Sequence, residues 1–451
     1  MPARKLNRRR FLRRSAALAT VPLTTLPAWG KDGRPPVTNP RATSGDQRFE
    51  PDWKNRLTIS VGPKSADLQG QTDRVIQAAI DYVARLGGGT VRIQPGRYTL
   101  RNSVFLASRV RLLGSGPETV LTKGPSKTTR LADDSDWYDQ EITLQDSTGF
   151  QIGDGVCLTT NRPGGGTDVL KRTLIARSGN RFKLDRPLRK NYWLSRESTA
   201  ATLFPLLTSE YTRHVVIESL TLDGNRAEND NLNGNFGGCI FLQDCNRYTI
   251  RDVTASHYNG DGISWQISHD VNIENCRSVD NAGLGLHPGS GSQRPVIRNN
   301  RIERNRLGLF FCWGVKYGLA EQNVIDGNAT YGVSIGHCDT DNVVRDNVIR
   351  NSGEVGILFR DDARGRDFWP HRNRIENNQI TNSGGAQGVG IDVRGKTRKV
   401  AIRGNTIRET RKPMQRVGVR LGAATTQINM EKNQIEGFKS EIENLQTPAK
   451  P

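Results

Sequence analysis

An all-β chain, wound for most of its length as a parallel β-solenoid, is what three features of this 451-residue sequence predict. The triplet Asn-x-Ile recurs at Asn300, Asn323, Asn347, Asn378, Asn405 and Asn433, at spacings of 23, 24, 31, 27 and 28 residues. A Gly-apolar-x-apolar segment, as in "GLGLH" or "GVSIG", marks one strand per turn. The composition agrees, because 47 glycines and 6% aromatic residues suit a turn-rich β protein better than a helical one. Stacked turns would bury the same strand positions in every repeat. They would also set the asparagines in one column, where each amide bonds the next instead of lying buried alone.

The elements follow in chain order. Residues 1–30 read as an address. In "NRRRFLRRSAALATVPLTTLPAWG" a basic segment precedes a modest apolar stretch from Ser15 to Trp29, and Arg8-Arg9-Arg10-Phe11-Leu12 resembles a twin-arginine export signal. That stretch, interrupted by Pro22 and Pro27, is too short to anchor in a bilayer. The expectation is cleavage near Ala28 to Gly30, a periplasmic or secreted location, and no membrane association afterwards. The segment carries seven of the basic residues and no acid, which leaves +12 of the formal +19 on the remainder. Residues 31–57 are polar and aperiodic and read as a linker.

Order begins in residues 58–135. Val75, Ile76, Ala79, Ile80, Val83 and Leu86 share one helical face, Gly87-Gly88-Gly89 ends it, and a strand from Thr90 to Gln94 runs into a Pro95-Gly96 turn. This order of helix, triple glycine, strand and turn resembles the opening of the pectate-lyase-like superfamily of right-handed parallel β-helices. The resemblance implies that the helix caps a right-handed solenoid. Residues 136–200 lack the Asn-x-Ile mark and read as antiparallel strands with glycine-rich turns, a small inserted β subdomain. The repeats then run over 201–440, and 441–451 form a tail. Six cysteines include no CxxC pair, so they are expected to pack as small apolar groups.

Strand alternation separates core from surface. With Ile240/Leu242, Ile263/Trp265, Leu284/Leu286, Leu309/Phe311, Val333/Ile335, Ile357/Phe359 and Ile391/Val393 turned inward, Trp265 and Phe311 belong to the core. The residues between and after them face out. One outward column then reads Gln243, Gln266, His287, Cys312, Gly336, Arg360, Arg394, and the next turns carry Trp313, His337 and Asp361 at the strand ends. Lys316, Tyr317, Asp339 and Asp341 follow on adjacent turns. A cluster of two histidines, an arginine and an exposed tryptophan has the chemistry of a cleft. Together with the longer turn "DDARGRDFWPH" it forms the candidate site.

"NGDGISWQISHDVNIENC" also resembles a polygalacturonase motif, with Asp261 at the place of that family's first catalytic aspartate. One turn later "NAGLGLHPG" stands where the paired aspartates of those hydrolases would be. The likeness is therefore one of fold and speaks against their chemistry. A basic groove suits an anionic polymer, and the superfamily resemblance implies a polysaccharide, with uronates frequent. For a lyase or C5-epimerase, Arg360 would hold the carboxylate, His337 or His287 would take the C5 proton, Asp361 would orient one of them, and Trp313 would stack on a sugar. Gln266, Lys316, Tyr317, Asp339 and Arg394 complete the substrate-binding set. Two other readings stay open: a hydrolase using Asp339, Asp361, Asp362 or Asp392, and a non-catalytic glycan-binding protein. Export argues against nucleic acid. No cofactor is committed, Ca2+ stays open, and the sequence leaves the oligomeric state undetermined.

Overall fold

The computed structural model describes residues 33, 50, 51 and 53–447. The export segment and nearly all of the linker lie outside the described residues. Among the described residues no helix is long and apolar enough to cross a membrane.

Parallel strands coil into a β-helix. One face is an eleven-stranded sheet running from Val104–Phe105 through Leu207–Glu210, Gly238–Gln243, Asp261–Gln266, Leu284–Gly289, Leu307–Phe310, Tyr331–Ile335, Val355–Phe359, Val389–Val393 and Val417–Leu421 to Ser440–Asn444. From Val296 onward the remaining faces are built from pairs of three-residue strands, such as Val296–Arg298 and Arg301–Glu303, joined at a sharp corner, whereas in earlier turns they include longer strands such as Arg213–Asp223 and Asn246–Ser256. The residue before each column asparagine makes that corner by adopting left-handed backbone. Asn299, Gln322, Asp346, Asn377 and Lys432 do so with φ between +54° and +58°, and Gly404 fills the same slot at +64°.

The predicted asparagine column is present. Asn323 Oδ1 accepts from the Asn300 amide N–H (3.0 Å) and Nδ2 (2.9 Å), and the pattern repeats through Asn347, Asn378 and Asn405 to Asn433. Each Nδ2 also donates inward, as Asn323 does to Ile297 O at 2.9 Å, so the buried amides are satisfied. The Cys276 N–H starts the ladder on Asn300. A second ladder, Asn281, Asn305 and Asn328, and a third pair, Asn342 and Asn373, do the same at other corners. Inside, Ile302, Ile325, Ile349, Ile380 and Ile407 stack in one line, and Trp265 and Phe311 are fully buried as expected.

The helix Asp73–Arg85 caps the coil and buries Ile76, Ala79, Ile80 and Val83. Leu86, expected on that face, is its C-cap and is exposed, because the chain leaves helical geometry there. A six-stranded antiparallel sheet with its own core around Leu158, Leu174 and Phe182 projects from the early turns. It takes in Thr128–Arg130, upstream of the stretch the sequence marks, because that strand pairs with Thr199–Ala201 at the exit. Arg101 ties it to the coil with two 2.7 Å bonds to Asp154. All six cysteines are free, and Cys157, Cys239, Cys245 and Cys276 are buried.

Candidate functional site

The outward column of the eleven-stranded sheet reads Phe241, Ser264, His287, Phe310, Ser334, Leu358, Asp392. His287 therefore sits one column away from the expected one. Leu286, not Leu284, pairs with Ile263, a slip of two residues that keeps His287 outward but changes its neighbours. It lies between Ser264 and Phe310 and is 2% exposed. His287 and Phe310 of this column line a cavity of about 910 Å³.

At its floor Asp261 and His287 form a buried pair. His287 Nδ1 donates to Asp261 Oδ2 at 2.8 Å, with Ser264 Oγ also near at 3.3 Å. The other Asp261 oxygen accepts from the Leu284 N–H at 2.8 Å. Gly234, in the loop that closes over the pair, leaves room for this carboxylate; a Cβ there would stand 1.8 Å from Asp261 Oδ2. The opposite ring nitrogen, His287 Nε2, is buried without a hydrogen-bond partner. Burial alone would lower the imidazole's pKa, but the bond to Asp261 and the adjacent Cys312 lift it to about 9.

Arginines and aromatic rings line the walls. Arg360 lies over the Phe310 ring at 4.2 Å, and that ring meets the His287 ring edge-on at 5.5 Å. Its Nη1 donates to Ser334 Oγ (2.7 Å) and its Nη2 to Phe311 O (3.0 Å) and Asp339 Oδ2 (3.5 Å), while Nε has no hydrogen-bond partner and stands 4.0 Å from Asp362 Oδ2. Trp313, 46% exposed, stacks on His337 at 4.5 Å and carries Arg364 at 5.0 Å. His337 is buried, and its Nδ1 accepts the Arg364 N–H at 2.9 Å. The neutral ring therefore carries its hydrogen on Nε2 and is a donor, which corrects the expectation of an outward base.

Gln266, His287, Trp313, His337 and Arg360 thus share one groove. The other candidates do not line it. Asp361 is exposed beside Gly395 and does not line the groove. Asp339 is fully buried and binds the Gly314, Val315 and Gly336 N–H groups, a structural role. Arg394 pairs with Asp392 at 2.7 Å, one turn beyond Arg360. Lys316 bridges Gln293 and Thr340 at a different corner, with the buried Tyr317 beside it. Sequence reasoning passed over Arg306, Tyr331 and Arg364 as groove residues and offered Asp362 only for the hydrolase reading. Arg306 and Tyr331 flank strand starts, where alternation gives no direction, and only the unusual length of the turn 361–371 pointed to the last two. Among the described residues no group of three or more His, Cys, Asp or Glu side chains is placed to hold a metal ion, so no step below runs through Ca2+.

Fold and groove together define a right-handed parallel β-helix protein. More particularly, residues 238–407 match the family described as "Right handed beta helix region". A search of curated proteins by sequence finds no match. Among solved structures, the A-module of the mannuronan C-5 epimerase AlgE4 of Azotobacter vinelandii is similar at 18% identity and a TM-score of 0.50, over 83% of this chain and 95% of that one. PfbA, a surface adhesin of Streptococcus pneumoniae, is similar at 14% identity and a TM-score of 0.51, over 82% and 88%. At these identities both likenesses speak to the fold.

Proposed function

We propose that this protein acts on an anionic, uronate-containing polysaccharide by removing the C5 proton, as a lyase or C5-epimerase. The observation that carries this reading is the Asp261–His287 pair at the floor of an arginine-lined groove. Asp261 holds the Nδ1 hydrogen and so leaves Nε2 as the site that accepts a proton. Arg360 and Arg364 supply positive charge where a sugar carboxylate must be neutralised before C5–H becomes acidic. Trp313 offers a face for a sugar ring. In elimination the C5 proton passes to His287, the C–H electrons form the C4–C5 double bond, and the C4–O bond breaks as its oxygen takes a proton from solvent water. In epimerisation the carbanion is reprotonated from the opposite face. A likeness in fold to a mannuronan C-5 epimerase is consistent with this and carries none of the argument.

The hydrolase reading has less support. Asp339 and Asp392 are fully buried, Asp361 lies outside the groove, Asp362 lines it but is paired with Arg364 at 3.1 Å, and Asp261 is already bonded to His287 and Leu284.

The test is incubation of the full-length mature protein with a panel of uronate polymers in D2O. Elimination appears as ultraviolet absorbance of the unsaturated product, and epimerisation as deuterium at C5. Neither signal on any uronate polymer would overturn the reading. Because His287 must be unprotonated to act, kcat/KM should rise through about pH 9. Export forms part of the proposal. Replacing Arg8 and Arg9 by Lys should retain the precursor in the cytoplasm, as fractionation would reveal.

A further inference from the structure

A second cavity, of about 880 Å³, lies where the inserted sheet faces the early turns of the coil. It shares the lining residues Asn235 and Gln243 with the first cavity, so the two adjoin. Its floor is Phe241, which pairs with Ser264 and stands two strands from His287 in the same column, or ~10 Å. Its mouth exposes two aromatic rings, Phe105 (43%) and Tyr211 (76%).

The chemistry of its roof comes from the insertion. Lys171 Nζ sits 3.8 Å over the Phe241 ring. Arg172 donates only to the backbone carbonyls of Lys171, Arg186 and Pro187. Among the described residues neither cation has a carboxylate within ion-pair distance. The acids present, Asp185 and Glu210, pair with Arg186 instead, at 3.3 and 3.9 Å. A partly buried ammonium whose only direct contact is a ring face is poorly compensated. Burial accordingly lowers the Lys171 pKa to about 8. An entering carboxylate would supply the missing partner.

We infer that this cavity is a distal subsite of the same groove, in which Lys171 binds the carboxylate of a uronate unit stacked against Phe105 and Tyr211. The insertion is thereby a substrate clamp, and the chain grips a polymer over roughly 25 Å from Phe241 to Arg360. This rests on the reading of the substrate as an anionic polymer.

The experiment measures binding without turnover, in the His287→Asn background, by calorimetry with polyuronate oligomers of increasing length and a neutral glucan as control. Lys171→Met keeps the aliphatic stem over Phe241 and removes the charge. It should weaken binding of long oligomers roughly tenfold and leave short ones less affected. Arg196→Gln, a half-buried charge on Trp193 outside both cavities, should change nothing. At pH 8, binding should draw up to about half a proton onto Lys171, seen as heat that depends on the buffer's ionisation enthalpy and is absent in Lys171→Met. Equal affinity of Lys171→Met and its His287→Asn parent, or no proton uptake, would overturn the subsite even if the wild type turns polyuronate over. Lys171-dependent binding with no turnover by the wild type would sustain the subsite and sink the chemistry. Absence of any polyuronate binding would remove both.

Discussion

Replacing His287 by Asn should lower kcat/KM on a uronate polymer by about 10²–10⁴-fold, the range expected when a general base is removed. Because the ring is buried, a loss of activity alone would not separate chemistry from packing. Asp261→Asn makes that separation. It keeps the imidazole in place but removes the main interaction holding its pKa up, so the alkaline rise in kcat/KM should shift from about pH 9 toward lower pH. A merely structural pair would change the amplitude of the profile and leave its inflection where it was. Stability carries the same signature. The folded-state pKa of His287 is above its unfolded value of about 6.5, so the pair's contribution is fully present below that pH and is lost as pH rises through about 9. The loss is of order 3 kcal/mol. The thermal midpoint of the wild type should therefore fall across this window, and that of Asp261→Asn should fall less.

Asn347→Ala should destabilise the coil by about 3–5 kcal/mol, measured as a lower denaturant midpoint. Its side chain accepts from both the backbone and side-chain nitrogens of Asn323 and donates to Ala320 O and to Asn378 Oδ1. Truncation strands several of these groups in a dry interior at once. Asn433→Ala, at the partly exposed end of the same column, provides the comparison and should cost only about 1 kcal/mol, since water can replace its bonds. Equal losses at the two positions would mean that the ladder's position in the coil is irrelevant and that the amides do not act as a chain.

The site was legible only in part. Trp313, Arg360 and Gln266 could be read because alternation in a strand tells which side of the sheet a residue faces. His287 was read as outward for the same reason, yet its partner was missed. Asp261 lies 26 residues earlier, and the two meet only because Leu286 pairs with Ile263. Asp361 and Arg394 follow the same alternation rule and lie outside the groove, since facing outward does not say which wall a side chain leans toward.

The sequence by itself determined the β-helix, the period of its turns, the asparagine column and the inward residues such as Trp265 and Phe311. These are consequences of local repetition: identical positions in successive turns meet identical neighbours, so a one-dimensional pattern suffices. The tertiary structure alone decided which turn sits beside which. Register is set by the length and bend of each corner, and a two-residue slip preserves inward and outward facing while exchanging every lateral neighbour. That slip is what puts His287 next to Ser264 and within reach of Asp261. The folding of the insertion back over Phe241 is likewise invisible along the chain, because Lys171 and Phe241 are joined by packing between two sheets and share no repeat.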